Sequence, residues 1–212
     1  MTIPKKERNF NTPPLQLFSY IRCPFAIRVR MTLHEKNIPF EVHEEKIGNF
    51  SERLKSLHPR PAVPLLIHEN QVIYESAIIT EYLNDQWKEP KLLPEDALEK
   101  AQVRLLTHWC DHILKPEIDR FKYGPARLSP EEVNNATEAI KNLLANLELR
   151  LVDKPWLVGQ EISLADIHLF PFYRQIARCN PAYPYLHLFP NLNQWLKNIT
   201  NRPSFEKTMQ KD

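Results

Sequence analysis

Cys23 opens the run Cys23-Pro24-Phe25-Ala26-Ile27-Arg28-Val29-Arg30, directly after the strand-like segment Leu15-Gln16-Leu17-Phe18-Ser19-Tyr20. A cysteine between a strand and a helix, followed by proline, is set to become a reactive thiolate. Pro24 suits the first helical position, where a missing N–H costs nothing and the fixed φ is already helical. Cys23 then falls at the N-cap, facing the free N–H groups of Phe25 and Ala26 and the positive end of the helix dipole. That setting is expected to lower a thiol pKa from about 8.5 into a range of roughly 3.5–7.5. Arg22 and Arg28 add cations nearby in sequence. Position 26 is Ala, so a Cys-x-x-Cys dithiol is reduced to one sulfur, whose disulfide partner must come from another molecule. The competing reading is a small apolar residue packed at a helix start, since free Cys is often buried.

Composition narrows the functions this thiol could serve. The chain has 212 residues, enough for one large domain or two small ones. Its net charge of +2 is too small to argue for nucleic acid or an anionic membrane, and no apolar run reaches the ~18 residues of a membrane span. Residues 1–12 are charged, lack the apolar core of a signal peptide, and read as a disordered lead-in. The three cysteines, Cys23, Cys110 and Cys179, are odd in number and widely spaced. They form no disulfide framework and no zinc-ligand spacing, so a reducing, cytoplasmic setting without a bound metal is expected. Gly48, Gly124 and Gly159 are the only glycines, which excludes a Gly-rich phosphate loop.

The elements that must position Cys23 follow from periodicity. Residues 13–87 alternate strand and helix patterns: a strand over 15–20, a helix over 24–36 with Ala26, Val29 and Leu33 on its apolar face, and a strand at Phe40-Glu41-Val42-His43. A short helix over 49–57 comes next. A hairpin follows, with Pro64–His68 and Val72–Tyr74 flanking Glu69-Asn70-Gln71. Ser76 is expected to N-cap a helix over 77–86. The order βαβαββα is a mixed sheet that needs helices on its faces. After a linker near 86–94, residues 94–208 read as all-helical. Val103, Leu106, Cys110 and Ile113 recur at helical spacing, as do Val133, Ala136, Ile140, Leu143, Leu147 and Leu151. Ser163-Leu164-Ala165-Asp166 has the spacing of a capping box, Pro171 is placed to kink the helix after it, and Leu192, Trp195, Leu196 and Ile199 mark a last helix.

Four segments in order resemble the cytosolic glutathione transferase superfamily: Cys23-Pro24-Phe25-Ala26, Ala62-Val63-Pro64-Leu65-Leu66, Tyr74-Glu75-Ser76-Ala77, and Leu157-Val158-Gly159 with Ser163–Asp166. The resemblance implies a thioredoxin-like N-terminal domain followed by an all-helical C-terminal one. A Cys followed by Pro-Phe-Ala is similar to the omega class and related bacterial cysteine-type members, which are thiol transferases and dehydroascorbate reductases. By this resemblance glutathione is the co-substrate and Cys23 forms a mixed disulfide with it. Phe25, Val63, Pro64, Glu75 and Ser76 then belong to the glutathione site. Ser76 would meet the γ-glutamyl carboxylate at a helix start, and Glu75 the ammonium. Val63-Pro64, expected in cis, would offer the Val63 backbone to the cysteinyl unit. The glycyl carboxylate has three candidates, Lys46, Arg53 and Arg60.

The resemblance also implies a second substrate held between the domains, with Trp109, Phe121, Tyr123 and Tyr173 as candidate aromatics, and a homodimer. Two alternatives to thiol transfer stay open. One is conjugation of glutathione to an electrophile, with Ser19 or Tyr20 supplying the hydroxyl. The other is a non-catalytic binding or regulatory protein of this type.

Overall fold

The computed structural model describes residues 15–179 and 182–210, and the lead-in expected over residues 1–12 lies outside them. The N-terminal part comprises β1 (Leu15–Ser19), α1 (Pro24–Glu35), β2 (Phe40–Glu44), α2 (Glu52–Leu57), β3 (Leu65–His68), β4 (Gln71–Tyr74) and α3 (Ser76–Gln86). The strands form one sheet in the order β2-β1-β3-β4. β1 is parallel to β2 and antiparallel to β3, which pairs antiparallel with β4. This is the thioredoxin-like arrangement that the resemblance implies, built on the expected order of elements.

Leu17 stands opposite Val42 on one side and Leu66 on the other. Leu15, Leu17 and Leu66 pack with Val29 and Leu33 of α1 and with Ile79 and Leu83 of α3. Phe18 and Leu65 point the other way, onto Leu54 of α2 and Val63. A register slip of one residue would exchange the two sets, so alternation fixes the sheet. The β3–β4 connection is two residues, not three. Glu69 and Asn70 both take left-handed φ, 48° and 64°, as a type I′ hairpin requires.

The C-terminal part is helical, as expected: α4 (Ala97–Trp109), a π-helical turn (Cys110–Leu114), α5 (Lys115–Tyr123), α6 (Pro130–Arg150), α7 (Leu164–Ala177), α8 (Pro190–Thr200) and α9 (Pro203–Met209). The π turn corrects one expectation. Val103, Leu106 and Cys110 are buried, but Ile113 is 47% exposed and Leu114 takes its place in the core. A π turn adds a residue to the helix, so every later side chain is displaced by one position. The helix α9 was not anticipated from the sequence. It packs on α1, where the buried Arg30 donates to the carbonyls of Thr208 at 3.1 Å and Gln210 at 3.2 Å.

Helix α1 serves both parts. Val29 and Leu33 face the sheet, whereas Ile27 and Met31, four residues apart, join the core of the C-terminal helices. No helix among the described residues is long and apolar enough to cross a membrane.

The start of α7 is the best-tied point of the helical part. Ser163 and Asp166 form the expected capping box. Asp166, with no exposure, accepts from the N–H of Leu157 and from Trp195 Nε1 through Oδ1, and from the N–H and hydroxyl of Ser163 through Oδ2. Burial pushes its carboxyl up, while the four donors favour the carboxylate. Asp166→Ala would leave those donors unpaired in the core. It is expected to lower the unfolding free energy by about 3 kcal/mol or more, read from urea denaturation. A loss below about 1 kcal/mol would contradict this account.

Candidate active site

Cys23 is held by the turn that joins β1 to α1. Its N–H donates to the carbonyl of Tyr20 at 2.8 Å, and its own carbonyl accepts from Ile27 at 2.9 Å as the helix begins. It is the N-cap residue, with extended backbone (φ −76°, ψ 119°) and Pro24 in the first helical position, as the sequence implied. The sulfur is half-buried and lies 3.8 Å from the carbonyl oxygen of Val63, to which the thiol can donate. Val63-Pro64 is cis. The thiol and the Val63 backbone, forty residues apart in the chain, therefore share one site.

The Glu75-Ser76 pair stands at the start of α3. The N-cap is Glu75 rather than Ser76, and Ser76 is the first helical residue. Glu75 has φ 67°, and this left-handed backbone turns the chain from β4 into the helix. Its carboxylate is exposed, with no partner among the described residues. Ser76 is buried, and its hydroxyl accepts from Arg28 Nη1 at 3.2 Å.

Arg28 was read from the sequence only as a nearby cation, yet it organises the seam between the two parts. It has no exposure. Its fork meets Asp111 at 2.5 Å and 3.1 Å, and its Nε donates to the carbonyl of His168 at 2.9 Å. The guanidinium lies between the rings of Phe25 and Phe172, at 5.0 Å and 4.8 Å from their centroids. His168 continues the network through Thr80 and Thr107, each 2.8 Å from a ring nitrogen. Burial and the Arg28 charge hold its pKa well below the ordinary value, so the ring is neutral: one nitrogen donates and the other accepts. Residues of α1, α3, α4, the π turn and α7 are thus joined behind Cys23.

The comparisons with known proteins agree with this fold. Residues 22–86 match the glutathione S-transferase N-terminal domain family, and residues 110–203 match the glutathione S-transferase C-terminal domain family. Glutathione S-transferase U2 of Arabidopsis thaliana is 31% identical over 196 residues, 87% of this chain and 83% of that protein. The chain belongs to the glutathione S-transferase family. Among solved structures, the Tau-class transferase of mango (Mangifera indica) superposes with a TM-score of 0.83 at 25% identity, covering 93% of each chain. A rice transferase in complex with glutathione does so with a TM-score of 0.82 at 27% identity, covering 93% of this chain and 92% of its own. These relatives are plant transferases, one of them Tau class, so they do not single out the expected omega class.

Several expectations about this transferase's site change with the structure. Burial is the largest influence on the Cys23 thiol and pushes its pKa up, against the N–H groups of Ala26 and Phe25 that pull it down. The helix start is present, but it acts on a sulfur with too little water around it to be a ready thiolate. Lys115 is the stronger of the two cations acting on the sulfur, followed by Arg28, and Arg22 is not among them. No local pattern around Cys23 could have signalled Lys115. Cys110 is no second nucleophile, because burial pushes its thiol up to about 12.

The aromatic candidates divide. Tyr173 is only 1% exposed, and its hydroxyl donates to Asn193 Oδ1 at 2.7 Å, so it is part of the helical core and not of a substrate pocket. Phe121 is buried edge-on against Tyr183. Aromatics at helical spacing went to the interior, as apolar mass in a helix bundle does. Tyr123, at the end of α5, is 50% exposed, and Trp109 is half-buried beside the π turn. Phe25 packs edge-on against Phe172, so its ring closes the seam while its N–H faces the sulfur.

Ser19 is fully buried, which removes its hydroxyl from any ligand at the surface; Tyr20 remains half-buried. Among the glycyl-carboxylate candidates, Arg53 is engaged with Gln16, His43 and the Phe18 ring, whereas Lys46 and Arg60 are exposed. The raised thiol pKa has a direct consequence in the free protein. Alkylation of Cys23 by iodoacetamide should keep accelerating as pH rises past about 9, because the thiolate fraction is still growing there. A plateau reached near neutral pH would show that the helix start outweighs burial.

Proposed function

We propose that this transferase is a glutathione-dependent thiol transferase, of the cysteine type that includes dehydroascorbate reductases. One observation carries the reading: a single half-buried thiol at the N-cap of α1, 3.8 Å from the Val63 carbonyl. A rice relative bound to glutathione supports glutathione as the co-substrate. The cysteinyl unit of glutathione would pair with the Val63 backbone. The γ-glutamyl carboxylate would meet Ser76 at the start of α3, where free N–H groups suit an anion. The exposed Glu75 carboxylate would take the ammonium. Lys46 or Arg60 would hold the glycyl end.

In the first step the Cys23 thiolate attacks the glutathione sulfur of a mixed disulfide, forming Cys23–S–SG and expelling the substrate as a thiolate that takes up the proton. In the second step a glutathione thiolate attacks the Cys23 disulfide, releasing glutathione disulfide and restoring the Cys23 thiolate. The exchange balances, since the mixed disulfide is reduced to the substrate thiol while one free glutathione is oxidised, joining the glutathione already held as disulfide. Attack depends on the thiolate fraction and on the leaving thiol. Ala26, in place of a resolving cysteine, makes the second glutathione obligatory.

Intact mass spectrometry after incubation with glutathione disulfide should show one added glutathione, absent in Cys23→Ala, and thiol transferase activity should vanish with it. Full activity in Cys23→Ala, or turnover of an aryl halide that survives loss of Cys23 and depends on Tyr20, would favour conjugation instead. A lack of glutathione binding by calorimetry would favour a non-catalytic role.

A homodimer is part of the same proposal. Ile78 on α3, and Leu98 and Leu105 on α4, are 58%, 68% and 66% exposed. The same two helices carry the surface pair Glu81–Arg104, and Leu105 lines a groove of about 610 Å³ with Ala97, Ala101, His108 and the charged Glu95, Lys100 and Arg104. Small residues with both signs of charge suit a second copy of the same face. Sedimentation is expected to give a dimer that Leu105→Glu dissociates, and a monomeric wild-type protein of 25.1 kDa would refute it.

A further inference from the structure

The turn between β1 and α1 is tied sideways to the end of β2. The parallel register sets Ser19 beside Glu44. There the Ser19 carbonyl accepts from the N–H of Glu45 at 2.7 Å, and Glu44 Oε1 accepts from the N–H of Ile21 at 2.8 Å. Inside the turn, the N–H of Cys23 donates to the carbonyl of Tyr20 at 2.8 Å, with Ile21 and Arg22 between them. Among the described residues, no other side chain bonds the backbone of this turn. Four residues that end in Cys23 therefore depend on one internal bond and one carboxylate.

What orients Glu44 is a charge with little water around it. Arg30 stands on α1 and is only 2% exposed. Its Nε and Nη2 donate to the carbonyls of Thr208 at 3.1 Å and Gln210 at 3.2 Å, and its Nη1 lies 3.7 Å from Glu44 Oε2. The carbonyls carry no formal charge, so Glu44 is the one counter-charge paired with Arg30 among the described residues. A buried cation left without its counter-charge is strongly unfavourable, which holds the carboxylate toward α1. Oε2 then faces the guanidinium while Oε1 meets the Ile21 N–H. The Glu44 side chain is 45% exposed, and a single contact at such a surface fixes a long side chain weakly. Two contacts, one to each oxygen, fix it.

We propose that Glu44 is a positioning residue for Cys23: steered by the buried Arg30, its carboxylate fixes the Ile21 N–H, and through the turn it sets the aim of the sulfur beside the Val63 carbonyl. The inference rests on the reading of Cys23 as the thiol that attacks a glutathione disulfide. Glu44 takes no part in the exchange itself. The Cys23 thiolate attacks one sulfur of glutathione disulfide, Cys23–S–SG forms, and the other glutathione leaves as its thiolate. Attack along the S–S bond of a bound disulfide needs an oriented sulfur, whereas a small reagent such as iodoacetamide, arriving from solvent, does not.

The test compares two rates at Cys23 in each variant, glutathione addition from glutathione disulfide and carbamidomethylation by iodoacetamide, both read by peptide mass mapping at one pH. Both reactions consume the thiolate, so their ratio removes changes in its fraction. Glu44→Ala is expected to lower the ratio roughly tenfold, and Glu44→Gln, which keeps an oxygen for the Ile21 N–H, to restore most of it. Arg30→Met is expected to lower it too, and the double variant Arg30→Met/Glu44→Ala by no more than the larger single loss, because both break one tie. The double variant leaves no buried charge unmatched and decides the question if a single variant fails to fold. An unchanged ratio in folded Glu44→Ala or in the double variant overturns the proposal. So do losses that multiply in the double variant, or an equal loss in Asp166→Ala, which removes the tie at the start of α7 and leaves this turn alone. Hydrogen exchange of the Cys23 amide needs no glutathione and should speed up roughly tenfold in Glu44→Ala, an unchanged rate again overturning the proposal. A wild-type protein that forms no glutathione adduct refutes thiol transfer instead, and the amide then decides the role of Glu44 by itself.

Discussion

A guanidinium with no exposure to water must be matched completely, and the arrangement around Arg28 is the consequence. A buried charge left without partners costs several kcal/mol, so the fold that contains it has to bring those partners in. Asp111, the Ser76 hydroxyl, the His168 carbonyl and the faces of two phenylalanines surround it. They come from α3, the π turn and α7, with Phe25 from α1 itself, the helix that carries Arg28 and is capped by Cys23. Ser76, the helix that Cys23 caps and the helical part are thereby held at one point. Stability and site geometry depend on the same side chain.

The chemistry of Cys23 follows from competition among three influences of different range. Desolvation acts on the thiolate from all sides and is the largest. The N–H groups of Phe25 and Ala26 act at contact distance, from a position that Pro24 and the Tyr20–Cys23 turn enforce. Cations act across the seam, where low polarity strengthens them. At rest the thiol is placed to donate to the Val63 carbonyl, as burial favours. Such a site spares the free sulfur from adventitious oxidation, which follows thiolate character and exposure.

The helical part does more than cover the sheet. Asp166 ties the start of α7 to Leu157 and to Trp195 of α8. That fixes the helix carrying His168 and Phe172 against α1, and α9 is strapped to the same helix through Arg30. Helix α1 is consequently packed on two sides, Val29 and Leu33 toward the sheet and Ile27 and Met31 toward the helices. A helix so enclosed holds its N-cap residue, Cys23, in place.

Much of this was legible in the chain itself. Alternation in Leu15–Ser19 and in the hairpin defined the sheet, Cys23-Pro24 marked the helix start, and Ser163–Asp166 marked the capping box, because each is a short-range rule of backbone geometry. The same rules misplaced the N-cap of α3, which a left-handed Glu75 moved back by one residue, and the face of the helix after Cys110, which the π turn displaced. The resemblance in turn assigned Tyr173 to a pocket, whereas its ring and hydroxyl are both satisfied in the core. What the sequence could not weigh was the balance at the sulfur. Burial and charge are sums over neighbours distant in the chain: Ser76 lies 48 residues from Arg28, Asp111 lies 83 away and His168 lies 140 away. The chain by itself determined that one cysteine would stand at a helix start. Only the tertiary structure decided how hard that sulfur holds its proton, because desolvation and Coulomb forces depend on distance in space and not on position along the chain.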